Sequence, residues 1–375
     1  MNRRTFTKGL LAFYAVPSVV PPIAFGGNGY SQAICLASAS TDRSGKHYLS
    51  LLNTANKKVH SVQLPGRAHH VISHPKLAVV AVVSRRPGYF LTIFNRHTAE
   101  VTHTINAEND YHFFGHGVYS SDGRYLITAE NRISTGLGVI VIRDALTDYR
   151  VVSRFPSNGI GPHQIKLNLN EDVIIVANGG ILTHPDRGRE KLNLDTMSPS
   201  LDYIDVSSGK VLESHKLSAD LHQISIRHID VNQQEKVVLV MQYQGDKYDD
   251  VPLVGVHRRG ESIKLLRAPN DINLKMKQYC GSVCFDAGGE YFAVSSPKGD
   301  LITFWRAEDN KFVSASRCRD ACGIASSGVA EFIVSNGLGE LYRYAISRKL
   351  HVFEKQKIVL ESDHQLAFDN HLSLV

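Results

Sequence analysis

YHFFGHGVYSSDGRYLITAENR, residues Tyr111 to Arg132, reads as a strand, a tight turn and a second strand. Val118 and Tyr119 alternate with small residues, Ser121-Asp122-Gly123 carries turn chemistry, and Tyr125, Leu126 and Ile127 are strand formers. A hairpin returns the chain to the end it left, so His116 at the entrance and Glu130 at the exit belong to one end of the unit.

The unit recurs. It begins again at His69 (HHVISHPKLAVVAVVSRRPG), His163 (HQIKLNLNEDVIIVANGG), Arg227 (RHIDVNQQEKVVLVMQYQGD), Gly281 (GSVCFDAGGEYFAVSSPKGD), Cys322 (CGIASSGVAEFIVSNGLGE) and His364 (HQLAFDNHLSLV). Aligned on the apolar residue two places after each leader (Val71, Val118, Ile165, Ile229, Val283, Ile324 and Leu366), these make seven copies. Most start about 40–50 residues after the one before, the period of a four-stranded propeller blade. Further strand-like segments fill the gaps, such as Phe90–Phe94 with Val101–Ile105 and Leu301–Trp305 with Lys311–Ala315. Seven aligned copies argue against a β-sandwich with coincidental hairpins, and the fold expected is all-β, a seven-bladed β-propeller in one domain over residues 27–375.

Three segments, Gln32–Ser38, Tyr48–Asn53 and Lys58–Leu64, precede the first leader, and Gln365–Phe368 follows the last. Three plus one completes a closing blade shared by the N- and C-terminal strands, which removes exposed sheet edges. His371–Val375 can begin a second strand that competes with Gln32–Ser38. The expected insertion Gly179–Ser200 follows the second strand of blade 3; a loop this long in a compact domain is functional or disordered. Its Ile181, Leu182, Leu192, Leu194 and Met197 give it apolar residues to pack, so it reads as an ordered lid.

Residues 1–26 stand apart. Arg3-Arg4-Thr5-Phe6-Thr7-Lys8 followed by the apolar run Gly9–Val16 is a twin-arginine export signature, which places the protein in the periplasm. The run is too short and too interrupted by Pro17, Pro21 and Pro22 to span a bilayer. With 43% hydrophobic residues the chain can build a sizeable core, and its net charge of +6 is scattered, with no nucleic-acid footprint. Five cysteines do not make a disulfide framework; Cys280 with Cys284 and Cys318 with Cys322 can pair, or all can be buried as small hydrophobes. Eighteen histidines are the unusual feature.

In a propeller the first strand of each blade lies nearest the axis, so the leaders line the mouth of the channel. His364, His69, His116 and His163 then stand on four adjacent blades, with Glu130 beside them to complete or orient a ligand set. Imidazoles converging on a cavity suit iron, copper or zinc. In a ring of seven blades adjacent leaders are the better set, which favours His69, His116 and His163. His70, His112 and His228 are further candidates, whereas His74 belongs to the opposite turn and reads as a solvated surface residue. Arg85, Arg86, Asn178, His184, Arg187, Arg227 and Gln242 form the surrounding ligand-binding set, with the arginines suited to carboxylate or phosphate. No GxSxG elbow, HExxH helix, phosphate loop or haem-attachment motif is present, so no nucleotide cofactor is expected.

At RRPG (Arg85–Gly88), GHG (Gly115–Gly117), GIGPH (Gly159–His163), ANGGI-x-THPD (Ala177–Asp186), KLNLDTM-x-PSL (Lys191–Leu201), SIRH (Ser225–His228) and QYQGD (Gln242–Asp246) the chain closely resembles a family of exported bacterial propellers. These share the broad class of the YVTN and amine-dehydrogenase-like folds, and are encoded beside imelysin-like iron-regulated proteins and a di-haem cytochrome-type oxidoreductase. The resemblance covers nearly all of the chain after the export segment. It implies a periplasmic role linked to iron or another transition metal, with imelysin-like uptake proteins as partners, and it names no reaction. Binding or handling of a transition metal is the function expected; a metal-dependent hydrolase or oxidoreductase using the same cavity, and a ligand-free docking platform, are the alternatives.

Overall fold

The computed structural model describes residues 34–375 apart from Arg348, Asp363 and His364. The export segment 1–26 and the leader His364 therefore lie outside the described residues. Seven antiparallel sheets follow one another along the chain. The innermost strands of blades 1 to 6 are Ala68–Ser73, Tyr111–Tyr119, Pro162–Leu167, Ile224–Val231, Ser282–Phe285 and Ala321–Gly328. In blade 7, Cys35–Asp42, His47–Asn53 and Lys58–Gln63 form the three outer strands. The innermost strand of that blade comes from the C-terminus, as Leu366–Phe368 and Ser373–Leu374.

This is the expected seven-bladed propeller with a shared closing blade. The first described strand begins at Cys35, and the expected start at Gln32 lies outside the described residues. One detail differs from the sequence reading. The segment after His371 does not compete with that first strand: Phe368 pairs with Ser40 and Ser373 with Ala37, so both pieces belong to one interrupted strand. Innermost strands of successive blades pack side by side, and the closing strand packs against both blade 6 and blade 1.

The core is divided among the seams between blades. Second strands such as Val79–Ser84 and Val173–Asn178 are buried along nearly their whole length, because each blade is covered on both faces. This is why they read as unbroken apolar runs instead of alternating ones. The outermost strands, Val101–Asn106 and Val211–Lys216 among them, expose alternate residues to solvent. One hydrophobic cluster fills each seam from blade 7 through blade 3, another the region of blades 3 to 5, and two more close the ring through blade 6. Among the described residues no disulfide forms: all five cysteines are free thiols. No helix among them is long and apolar enough to cross a membrane.

Candidate metal centre

The innermost strands are not regular at their leaders. The register slips between Ala68 and His70, between Phe113 and Gly117, between Pro162 and Ile165, between Ile226 and His228, and between Ala321 and Ile324. The closing strand adds its own irregularity between Phe368 and Ser373; only Ser282–Phe285 pairs without one. A bulge re-aims the side chains at the extra residue. Strict alternation would turn one member of each pair His69-His70 and Arg227-His228 away from the axis; the bulge lets both contribute. At blade 2 the bulge depends on Gly115, which holds φ +106° with His69 so close that a Cβ would lie 2.9 Å from its Cδ2.

Six imidazoles meet as a result: His69, His70, His116, His163, His228 and His371. His116 is the hub, with ring centroids 4.9 Å from His69, 5.2 Å from His70, 4.8 Å from His163, 5.5 Å from His228 and 4.5 Å from His371. The perimeter is as tight: His69–His371 is 4.7 Å, His163–His228 4.7 Å and His228–His371 4.9 Å. Ligand atoms lie within 4.8 Å of one another in two triads, His69/His116/His163 and His116/His228/His371. These buried groups can hold a metal ion.

Their nitrogens are poorly satisfied by the protein. Among the described residues, His116 and His228 have no hydrogen-bond partner on either ring nitrogen, nor do His70 on Nδ1 and His371 on Nε2. Two rings are oriented by neighbours. Asp369 Oδ1 accepts from His69 Nδ1 at 2.8 Å, which fixes the proton there and leaves Nε2 as a lone pair. Arg227 Nη1 makes a long contact, 3.4 Å, to His163 Nδ1, in which the guanidinium can only be the donor. Burial first, then the neighbouring imidazoles and cations, hold His116, His163, His228 and His371 well below the usual histidine range. Burial pushes His70 down to about 3. The rings are therefore neutral, the form that ligates a metal. Asp369 stays ionised: although burial opposes it, His69, Arg85 and Arg67 hold its carboxyl well below the usual range.

The expected site residues divide in three. His69, His116 and His163 come together as anticipated. His364 lies outside the described residues, and the closing strand brings His371 to the cluster; Ser373 is the counterpart of Val71 on that strand, since it pairs with Ala37 on the second strand of its blade and its Oγ reaches Val71 O. Asp369 and His371 were missed for that reason; the only signal was the Asp-Asn-His run itself. Glu130 does not turn to the cluster. It is fully buried against Arg143 Nη1 at 2.7 Å and accepts from Thr128 Oγ1, because its side chain faces the neighbouring third strand. Asn178 is likewise consumed, donating to Ser157 O and Asp202 Oδ2 at 2.7 Å each. His74 is not a solvated residue: it is 6% exposed, its Nε2 donates to Gly123 O of the next blade, and its Nδ1 accepts from Leu77 N.

Arg85, Arg86, Arg227, Gln242 and His184 do share a space. A cavity of about 410 Å³ opens on the insertion face and includes all five, with Arg189, Lys191 and Lys298. A smaller pocket of about 50 Å³ continues it down to His69, His163 and His228. The insertion forms part of the wall, tied down by Arg86 Nη1 donating to Thr183 Oγ1 and braced within itself by Leu182 N donating to Asn193 Oδ1. Ile181 and Met197 are buried beneath it, while Leu192 stays 41% exposed. Arg187 is not in the wall; it is exposed and pairs with Glu190 at 3.6 Å. On the far side of the cluster, further along the inner strands of blades 3 and 4, Lys166 pairs with Asp230 at 2.8 Å. A third metal-like triad, Glu213/His215/His257, is a contrast. His257 bonds Tyr203 and Glu261 O, and Glu213 bonds Arg259 and Gly260 N, so those atoms are already engaged.

The chain belongs to the family described as protein of unknown function (DUF1513), whose model matches residues 62–375. No curated protein matches the sequence. Solved propellers resemble it in fold. A chain of the hydrazine synthase of Kuenenia stuttgartiensis aligns with TM-score 0.60 at 11% identity, covering 91% of this chain and 99% of that one. The periplasmic gluconolactonase of Pseudomonas aeruginosa aligns at 0.58 and 14% identity, covering 90% and 99%. A chain of a mitotic checkpoint complex aligns at 0.57 and 14%, covering 80% and 82%. At these identities the likeness is one of fold alone.

Proposed function

We propose that this member of the DUF1513 family binds a transition-metal ion in its axial histidine cluster, and that it serves metal uptake or handling in the periplasm. The observation that carries the reading is the set of six ring nitrogens on His70, His116, His228 and His371 that are buried with no hydrogen-bond partner among the described residues. A buried polar group left unmade costs about 1–3 kcal/mol. Six of them approach the whole stability of an ordinary domain, about 5–15 kcal/mol. A bound ion takes one nitrogen from each ligating ring, and so removes a large part of that penalty.

The donor set is all imidazole, which suits iron, copper, zinc or nickel rather than calcium or magnesium. His116, shared by both triads, is the central ligand; His69 offers Nε2, backed by Asp369. Iron is the metal favoured by the family resemblance, and imelysin-like proteins are the partners it suggests. The twin-arginine segment supports export, by a route that carries folded and metal-loaded proteins.

Titration of the metal-free protein with Fe(II), Cu(II) and Zn(II) by calorimetry, with metal analysis of protein purified from periplasm, tests the proposal. His116→Ala is expected to weaken binding at least a hundredfold, while His97→Ala, an exposed histidine of an outer turn, leaves it unchanged. Equal binding by the two variants, or no binding by the wild type, refutes it. A metal-dependent enzyme is the second reading, favoured by the cavity that leads down to the cluster. Turnover that needs the metal, against stoichiometric binding without turnover, separates the two.

A further inference from the structure

We infer that the cavity above the histidine cluster is a binding site for a multivalent oxyanion, a small acid bearing carboxylate or phosphate groups, held by Arg86 and Arg227. This adds a ligand class to the metal reading and rests on it only for the source of the anion, which is either free or the chelator of an arriving metal.

Six cations line the cavity, Arg85, Arg86, Arg189, Lys191, Arg227 and Lys298, and no Asp or Glu does so among the described residues. Asp369 offsets Arg85 at 3.1 Å, which leaves five without a counter-charge among the described residues. Two of these are deep. Arg227 is 7% exposed and its Nε has no partner among the described residues, while its Nη1 makes only a 3.4 Å contact to His163, a neutral ring. Arg86 has one hydrogen bond, to Thr183 Oγ1, and rests 5.2 Å over the Phe114 ring. Burying a charge without a partner is costly, and a guanidinium cannot escape by losing its proton. Desolvation and the surrounding cations pull Arg86 down to about 9, and burial pulls Arg227 down to about 10, which measures the same discomfort.

The remedy that fits is an oxyanion. Guanidinium forks match carboxylate and phosphate with paired, charge-assisted hydrogen bonds, about twice as strong as neutral ones. The inner pocket of about 50 Å³ takes one such group, and the outer cavity of about 410 Å³ takes the rest of a small organic acid. Five cations call for more than one negative charge, so a polycarboxylate or a phosphate suits better than a monocarboxylate.

Calorimetry on the full chain tests this, using citrate, inorganic phosphate, preformed ferric citrate, and zinc alone as separate titrants. Citrate or phosphate is expected to bind the metal-free wild type, and Arg86→Gln to weaken that binding at least tenfold. Zinc affinity in the absence of the anion is expected not to fall in Arg86→Gln, since the change removes a cation near a cation site; structural damage would weaken both. Should Arg86→Gln not fold, Arg189→Gln on the exposed insertion is expected to shift citrate binding in the same direction, by about threefold. Tighter binding of ferric citrate than of citrate identifies the chelate as the source, and equal binding identifies the free anion. Wild type that takes neither anion at millimolar concentration, or binds it no better than Arg86→Gln, overturns the inference. Citrate binding without zinc binding would instead sink the metal reading and leave the anion site standing.

Discussion

Asp369 is the residue on which the cluster's chemistry turns. Its carboxylate accepts from His69 Nδ1 at 2.8 Å, from Arg67 Nη2 at 2.7 Å and from Arg85 Nη1 at 3.1 Å, so one side chain orients an imidazole of the cluster and faces two cations. Removing a partner that fixes a ligating histidine usually costs ten- to a hundredfold in metal affinity. Asp369→Asn is expected to weaken metal binding by that much, read by calorimetry, because either ring nitrogen of His69 is then free to carry the proton; an unchanged affinity would exclude His69 from the ligand set. The depressed histidines also fix the sign of a pH effect. Above about 6.5 they are neutral in both the folded and unfolded chain and contribute no pH dependence. Below it the unfolded chain takes up protons that His70, His116, His163, His228 and His371 refuse when folded. Each such group lowers stability by about 1.4 kcal/mol per pH unit until its folded value is reached, about 3 for His70. Denaturant unfolding of the metal-free protein is expected to show a steep loss between pH 6.5 and pH 5, and His116→Gln a shallower one; equal slopes for the two would mean that His116 titrates normally.

At the scale of the element, the bulge decides which residues reach the axis, and here sequence reading found both its reach and its limit. The hairpin repeat, the seven blades, the shared closing blade and the leaders His69, His116 and His163 were legible, because alternation and turn residues are local signals. The second members of the doublets, His70 and His228, were visible only as extra candidates, since a strand without a bulge would turn them from the axis. His371 was hidden by Ser373, which breaks the apolar alignment at the closing blade. Glu130 misled because its partner, Arg143, lies on the next strand, and nothing local says which neighbour a buried carboxylate will meet. Gly115 is where the bulge can be tested. Its φ of +106° and the 2.9 Å approach to His69 leave no room for a Cβ. Gly115→Ala is expected to cost about 1–3 kcal/mol of stability and to weaken metal binding at least tenfold while the far-ultraviolet circular dichroism stays that of a β protein. Full metal affinity in that variant would show that the bulge does not place His69.

For the whole molecule, the cluster ties the ends of the chain together. Its histidines come from blades 1, 2, 3, 4 and 7, while the equivalent positions in blades 5 and 6 are Gly281 and Cys322. The blade 7 contribution, His371, sits on the strand that closes the ring, and that strand is short, interrupted and paired through only a few residues of Cys35–Asp42. A segment held so lightly is where local opening is cheapest. An ion shared by His371, His116 and His228 would pin this strand to the opposite wall of the channel, and any opening of it would have to break a metal–ligand bond first. At a metal concentration a hundredfold above its dissociation constant the folded state gains about 2.7 kcal/mol. Because the closing strand carries a histidine of the cluster and blades 5 and 6 do not, the slowing of amide exchange is expected to be uneven if that histidine ligates. Hydrogen–deuterium exchange with and without metal should show strong added protection in peptides covering Leu366–Leu374. Peptides from Ser282–Phe285 and Ala321–Gly328, which open without releasing a ligand, should change little. In His371→Ala the added protection of the closing strand should vanish even where some metal still binds through the other triad. Uniform protection of all seven blades, or protection of the closing strand that survives His371→Ala, would mean that the metal does not act as the ring's clasp.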